Sequence, residues 1–167
     1  NRTGLSAHLA VRDGREVVYI ARVAAFTTVA SSVQIGTRFP VHATLMGRML
    51  ILDCRDEELR QLFPEKTLPK VTKQTPKTLA ELKKLLAADR DLGYGVSQSF
   101  FERGVSAIGA PVRDSNGNVV AAINVTAVDT HIDLSTMHGE IKDAVLDAAR
   151  DIGRWLASAP ATKPARL

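Results

Sequence analysis

The chain has a single cysteine, Cys54, among its 167 residues. No internal disulfide can form, and a reducing cytoplasm is the expected compartment. A nucleophilic Cys54 needs a nearby base, and no motif supplies one, so it reads as a small core residue. Aromatic residues make up only 5%, and no aromatic RNA-binding motif, basic helix or zinc-finger spacing is present. No apolar run approaches the roughly 20 residues of a membrane-spanning helix, and no basic-then-apolar leader opens the chain. GxSxG, GxGxxG, P-loop, HExxH and CxxC patterns are all missing. The histidines His8, His42, His131 and His138 lie far apart, none at zinc-ligand spacing. The expectation is therefore no metal, no cofactor, no catalytic residue and no membrane partner.

What is present is ordinary for a globular domain: 45% hydrophobic and 24% charged residues, enough chain for one core. The net charge of +4 is spread out, with Asp53, Asp56, Glu57 and Glu58 following Arg48, and Asp89 and Asp91 flanking Arg90. It reads as a solvated surface rather than a nucleic-acid face. The chain opens at Asn1 already in a strand-like run, as expected of a fragment of something longer.

Leu5–Val11 and Glu16–Val23 predict a hairpin about Asp13-Gly14. Phe26–Ile35 predicts a third strand, and Gly36–Pro40 a loop. Ala43–Leu52 reads as a buried helix whose Gly47 implies close backbone packing. Asp56 is placed to cap a short helix ending before Pro64, and 64–77 is an exposed connection. Thr78-Leu79-Ala80-Glu81 has the capping-box pattern and opens a helix ending near Gly93, with Leu79, Leu82, Leu85 and Leu86 on one face. Strands follow at Tyr94–Phe100, Gly104–Val112 and Val119–Thr126, the last two joined at Asp114–Gly117, with Pro111 at an edge or bulge. A helix from Ser135 to about Ala157 buries Ile141, Val145, Ala149, Ile152 and Leu156, with Trp155 nearby. Residues 158–167 read as a disordered tail. The fold class is α/β (α+β): a mainly antiparallel sheet of about five to six strands with flanking helices.

Two places carry chemistry. Phe39-Pro40-Val41-His42-Ala43-Thr44-Leu45-Met46-Gly47 puts a small polar cluster at a helix start, where backbone N–H groups favour an anion. In Val119–Thr126, strand alternation gives Val119, Ala121, Ile123 and Val125 to one apolar face. Val120, Ala122, Asn124 and Thr126 fall on the other, and Ala107 and Gly109 share a face of the partner strand. A hollow of small apolar residues with a few convergent polar groups is the usual form of a ligand pocket. His42 has two readings, a ligand contact or pH switch and a helix-start residue bonded to backbone; the structural one is favoured. Glu102-Arg103 reads as a charged turn.

These pieces, in order, resemble the C-terminal effector-binding domain of IclR-type bacterial transcriptional regulators. The matching stretches are the strand pair around Asp13-Gly14, Gly36–Thr44, Met46-Gly47-Arg48, Leu92-Gly93-Tyr94, Glu102–Val112, and Ala121–Thr126 after the Gly117 turn. The resemblance runs from about residue 4 to 157 and implies a GAF/profilin-like fold. It also implies that residues 1–157 form the effector domain, with an N-terminal winged helix-turn-helix outside this chain. DNA would be contacted only through that part, and the domain would join itself as dimer or tetramer. Effectors of such regulators are mostly small carboxylates and aromatic acids. Carried to matching positions, the effector contacts are Phe39, Leu45, Met46, Ser97, Ala107, Asn124 and Thr126, and strand alternation adds Ser99. Asn124 and Thr126 stand where glyoxylate-responsive relatives resemble a Ser-x-Ser pattern, and Ser97 and Ala107 replace an acidic residue and a cysteine, which suits a bulkier effector than a two- or three-carbon keto acid. Met46-Gly47-Arg48 and Gln98 resemble the branch controlling protocatechuate, 4-hydroxybenzoate and β-ketoadipate catabolism. His131 stands where many relatives have arginine. The expected function is a sensor binding a small organic acid between the sheet and the Thr44–Leu52 helix. Its carboxylate would lie near the N–H groups of Thr44 to Met46. The alternatives are a small enzyme of related fold with His42 as base, and a pure oligomerisation module.

Overall fold

The computed structural model describes residues 2–25, 33–98, 104–128 and 137–158. They form an α+β arrangement around a six-stranded antiparallel sheet. The strands are β1 (Ser6–Asp13), β2 (Glu16–Val23), β3 (Arg38–Pro40), β4 (Gly95–Gln98), β5 (Val105–Arg113) and β6 (Val119–Val128), in the order β3-β2-β1-β6-β5-β4. The helices are α1 (Leu45–Leu50), α2 (Asp56–Leu62), α3 (Leu79–Leu92) and α4 (Lys142–Ser158).

Alternation along the strands divides the interior into two layers. Ala10, Val17, Tyr19, Ala107 and Ala122 face Val41, Leu45, Met46 and Met49. Ile108, Ala110, Val112, Ala121 and Val125 face Ile141, Val145 and Ala149 beside and along α4. The β5–β6 turn is held by Asp114, whose Oδ1 accepts from the backbone N–H groups of Asn116 and Asn118, both at 2.9 Å, while Gly117 supplies a φ of 84°. Pro111 pairs with Ala122 on β6, and β4 ends opposite Gly109, so the missing N–H leaves no ladder bond unmade.

Several expectations need correction. Residues 38–40 are a strand on β2 rather than loop, since Arg38, Phe39 and Pro40 pair with Val18, Val17 and Glu16. Of the strand expected at Phe26–Ile35, residues 26–32 lie outside the described residues, and 33–35 are not strand. The Ala43–Leu52 helix is broken: a 3₁₀ turn over Val41–Ala43 precedes Thr44, which is extended and caps α1. Arg55, not Asp56, occupies the N-cap of α2, and the Glu58 carboxylate accepts from the Arg55 N–H at 2.7 Å. The last helix begins at Lys142, after a wide turn over Met137–Ile141 with non-helical backbone at Gly139, and 135–136 lie outside the described residues. Leu156 is exposed and Trp155 is 78% exposed, because α4 lies on β5 through Gly153, where an added Cβ would stand 2.3 Å from the Arg113 carbonyl. The tail beyond 158 is outside the described residues.

The charges are not all solvated either. Arg48 and Asp89 are buried and paired, Nε to Oδ2 at 2.7 Å, and Arg48 Nη2 donates to the Val96 carbonyl at 3.0 Å. Gly47 does mark a close approach: a Cβ there would lie 1.9 Å from the Val41 carbonyl oxygen.

Candidate functional site

Antiparallel register brings residues from five strands into rows on the sheet face that meets α1. One row runs Gly95, Gly109, Asn124, His8, Arg22; the next runs Ser97, Ala107, Thr126, Ser6. The glycines and alanine keep this floor low. Leu45 fills the notch: a Cβ on Gly95 would stand 2.7 Å from Leu45 Cδ1 and from Met49 Cε, and one on Gly109 would stand 3.5 Å from Leu45 Cδ2. Asn124 is buried, Ala107 is buried, and Ser97 and Thr126 are half-buried. Polar groups on a small-residue floor beneath an apolar helix can hold a small molecule that is apolar along its body and polar at its ends.

Of the residues expected from sequence, Ser97, Ala107, Asn124 and Thr126 therefore share one face, with Leu45 packed over it. Met46 is buried in the same layer. Phe39 lies three strands away, but rings connect it to the rows: Phe39 to Tyr19 at 5.8 Å and Tyr19 to His8 at 5.7 Å between centroids, both edge-to-face. Burial raises the Tyr19 hydroxyl to about 12, so it stays protonated. Ser99, Glu102, Arg103 and His131 lie outside the described residues.

Sequence reasoning missed His8. Its ring is buried, and Nδ1 lies 3.1 Å from Asn124 Oδ1. Burial, with Arg22 adding to it, holds the imidazole below its ordinary value, and the bond to Asn124 opposes that. Its Nε2 and the Nε of Arg22 are buried with no hydrogen-bond partner among the described residues. The only local signal was His8 on the inward phase of a strand. The pairing of β1 with β6, which sets it against Asn124, joins residues 116 apart.

At the helix start expected to face an anion, α1 has six residues, Thr44 Oγ1 accepts from the Gly47 N–H at 2.9 Å, and the Thr44 carbonyl accepts from the Arg48 N–H, so the threonine caps its own helix. His42 also has a structural place: Nε2 is 2.8 Å from the Pro69 carbonyl oxygen, and the ring rests edge-on against Phe63. These two contacts are the backbone-bonded, structural place expected of His42. Cys54 is half-buried and burial pushes its thiol up, the opposite of an activated nucleophile. Among the described residues no cluster of three potential metal ligands occurs, and no helix is long and apolar enough to cross a membrane.

The chain is similar in sequence and fold to known proteins. The family described as bacterial transcriptional regulator IclR C-terminal matches residues 1–154. The HTH-type transcriptional regulator XynR of Escherichia coli is 32% identical over 158 residues, covering 91% of this chain and 62% of that protein. The chain thus spans about three fifths of the length of that curated relative. A crystal structure of a putative transcriptional regulator, RHA06195 of Rhodococcus, superposes with a TM-score of 0.87 at 31% identity, over 93% of this chain and 63% of the other. The inducer-binding domain of a double mutant of the Acinetobacter transcription factor PobR, in complex with 3-hydroxybenzoic acid, superposes with a TM-score of 0.81 at 25% identity, over 91% of this chain and 89% of the other.

Proposed function

Because this chain belongs to the IclR family of bacterial transcriptional regulators and corresponds to its C-terminal, effector-binding domain, we propose that it senses a small organic acid on the α1 face of the sheet. The relatives are named as regulators, and the chain is not an enzyme. The effector would lie against Phe39, Leu45, Met46 and Ala107, with Ser97, Asn124 and Thr126 as its polar contacts, and Ser99 in the same group by alternation. An aromatic acid of the hydroxybenzoate or protocatechuate class suits a floor of small residues under aliphatic and aromatic walls. The hydroxybenzoate in the related PobR domain supports that class. Occupancy would bias a dimer or tetramer of this domain, in the cytoplasm, between arrangements that space DNA-binding heads elsewhere in the full protein. Only a ligand with unequal affinity for the two arrangements can do that.

The observation that carries the reading is Asn124. A buried amide on an inward strand face, flanked by half-buried Ser97 and Thr126, is costly unless it has polar partners. His8 supplies one of them. Calorimetry and thermal shift with a panel of aromatic and dicarboxylic acids test the reading. At least one acid should bind, and Asn124→Ala with Thr126→Ala should abolish the response while circular dichroism still reports a folded chain. An unchanged response in the folded double variant rejects this site, and a silent panel with a stable oligomer points to a pure assembly module.

A further inference from the structure

We propose that His8 and Arg22 form the carboxylate-holding end of this site, and that the effector's acid group docks between His8 Nε2 and Arg22 Nε. The inference deepens the effector reading above and rests on it. The two residues are direct register partners on adjacent strands, so their side chains leave the same face of the sheet, His8 one strand and Arg22 two strands from Asn124. Each has a buried nitrogen with no partner among the described residues. One orphaned buried polar atom is unusual in a native fold; two on register-paired residues of adjacent strands are what a ligand between them would satisfy.

The hydrogen bond at the other side of the ring fixes the chemistry. With Asn124 Oδ1 as acceptor at 3.1 Å, Nδ1 carries the hydrogen, and the neutral ring presents a bare lone pair at Nε2. Arg22 presents an N–H donor beside it. A carboxylate entering there meets a cation and a lone pair, and the lone pair repels it until the ring takes a proton from solvent. Once protonated, His8 and Arg22 offer two N–H donors to the two carboxylate oxygens, a charge-assisted pair.

The groups facing His8 favour this coupling. From β2 come Arg22 and the protonated Tyr19 hydroxyl; from β6 come Asn124 and Thr126, neither of which titrates. From α1 comes apolar Leu45, while the one charged residue of that helix, Arg48, is engaged by Asp89 and the Val96 carbonyl. Burial, with Arg22 adding to it, holds the ring below its ordinary value. The carboxylate supplies the missing counter-charge, so binding draws in one proton. By linkage, affinity is flat below the free-state pKa of His8. It falls about tenfold per pH unit from there to the ligand-bound pKa, and is flat again above it.

The test uses the whole 167-residue chain, with benzoate, 3-hydroxybenzoate and 4-hydroxybenzoate as probes and their primary amides as uncharged matches. Calorimetry in buffers of different ionisation enthalpy should show uptake approaching one proton for a bound acid. Each amide should bind at least about tenfold more weakly than its acid. Arg22→Gln should weaken the acid by about ten- to a hundredfold and leave the amide nearly unaffected, and His8→Gln should remove the proton uptake. Equal binding of acid and amide, or no proton uptake by the unaltered chain, overturns the His8–Arg22 assignment while the Asn124–Thr126 pocket stands. Binding of neither acids nor amides overturns both. The proton-uptake measurement needs no variant, so a substitution that fails to fold leaves the question decidable.

Discussion

At the scale of single residues, His8 concentrates the tension of the site. Burial holds the imidazole below its ordinary value, the bond to Asn124 opposes that, and the Arg22 charge adds a smaller push in the same direction as burial. The lowered pKa has a direct consequence for the ligand-free chain. Between the folded-state value and the ordinary 6.5 of the unfolded chain, the unfolded state binds more protons. Stability contributed by His8 is therefore full above about 6.5 and is lost as pH falls through that window, with a slope of at most about 1.4 kcal/mol per pH unit. Denaturation followed from pH 7.5 to 5 should show this acid limb, and His8→Gln should flatten it. A variant with the same acid limb as the unaltered chain would place the lost protons elsewhere.

At the scale of elements, α1 does most to shape the site, and it shows what a sequence can and cannot tell. Gly47 was legible: a glycine inside an apolar helix implied a backbone contact, and the contact is the Val41 carbonyl. The phase of β6 was legible for the same local reason, so Asn124 and Thr126 were assigned to the right face. The partners of those residues were not. Which strand lies beside β6 is set by long-range pairing, and nothing near His8 announces Asn124. Strand β3 was unreadable because three residues ending in proline carry no alternation; β2 imposes the strand. Arg48 and Asp89 looked like surface charges because sequence shows charge but not burial. In the fold they tie α1 to α3 and, through the Val96 carbonyl, to β4. Burial pushes the Asp89 carboxyl up and the Arg48 guanidinium opposes it. Removing one partner strands the other in the core. Arg48→Met or Asp89→Leu alone should therefore cost about 3–5 kcal/mol in chemical denaturation, while the two together should recover most of that loss. Additive losses in the double variant would mean that the two side chains act independently.

At the scale of the whole molecule, the sheet is two units joined along one seam. Strands β1, β2 and β3 come from the first 40 residues and β4, β5 and β6 from residues 95–128; among the described residues the β1–β6 ladder, Ser6 to Ala10 against Ala122 to Thr126, is what connects them within the sheet. The proposed site straddles that seam, with His8 and Arg22 on one side and Ser97, Asn124 and Thr126 on the other. A ligand bridging both sides opposes their separation, and it does so by its binding free energy, about 2.7 kcal/mol at a hundred times its dissociation constant. Amide hydrogen exchange should therefore respond unevenly. With a bound hydroxybenzoate at that concentration, the amides of Ala7–Ala10 and Ile123–Val125 that exchange by opening of the seam should slow by about a hundredfold. Amides of α2, which lies outside the rows, should change least. Slowing confined to α1 and β4 would put the ligand on one side of the seam only.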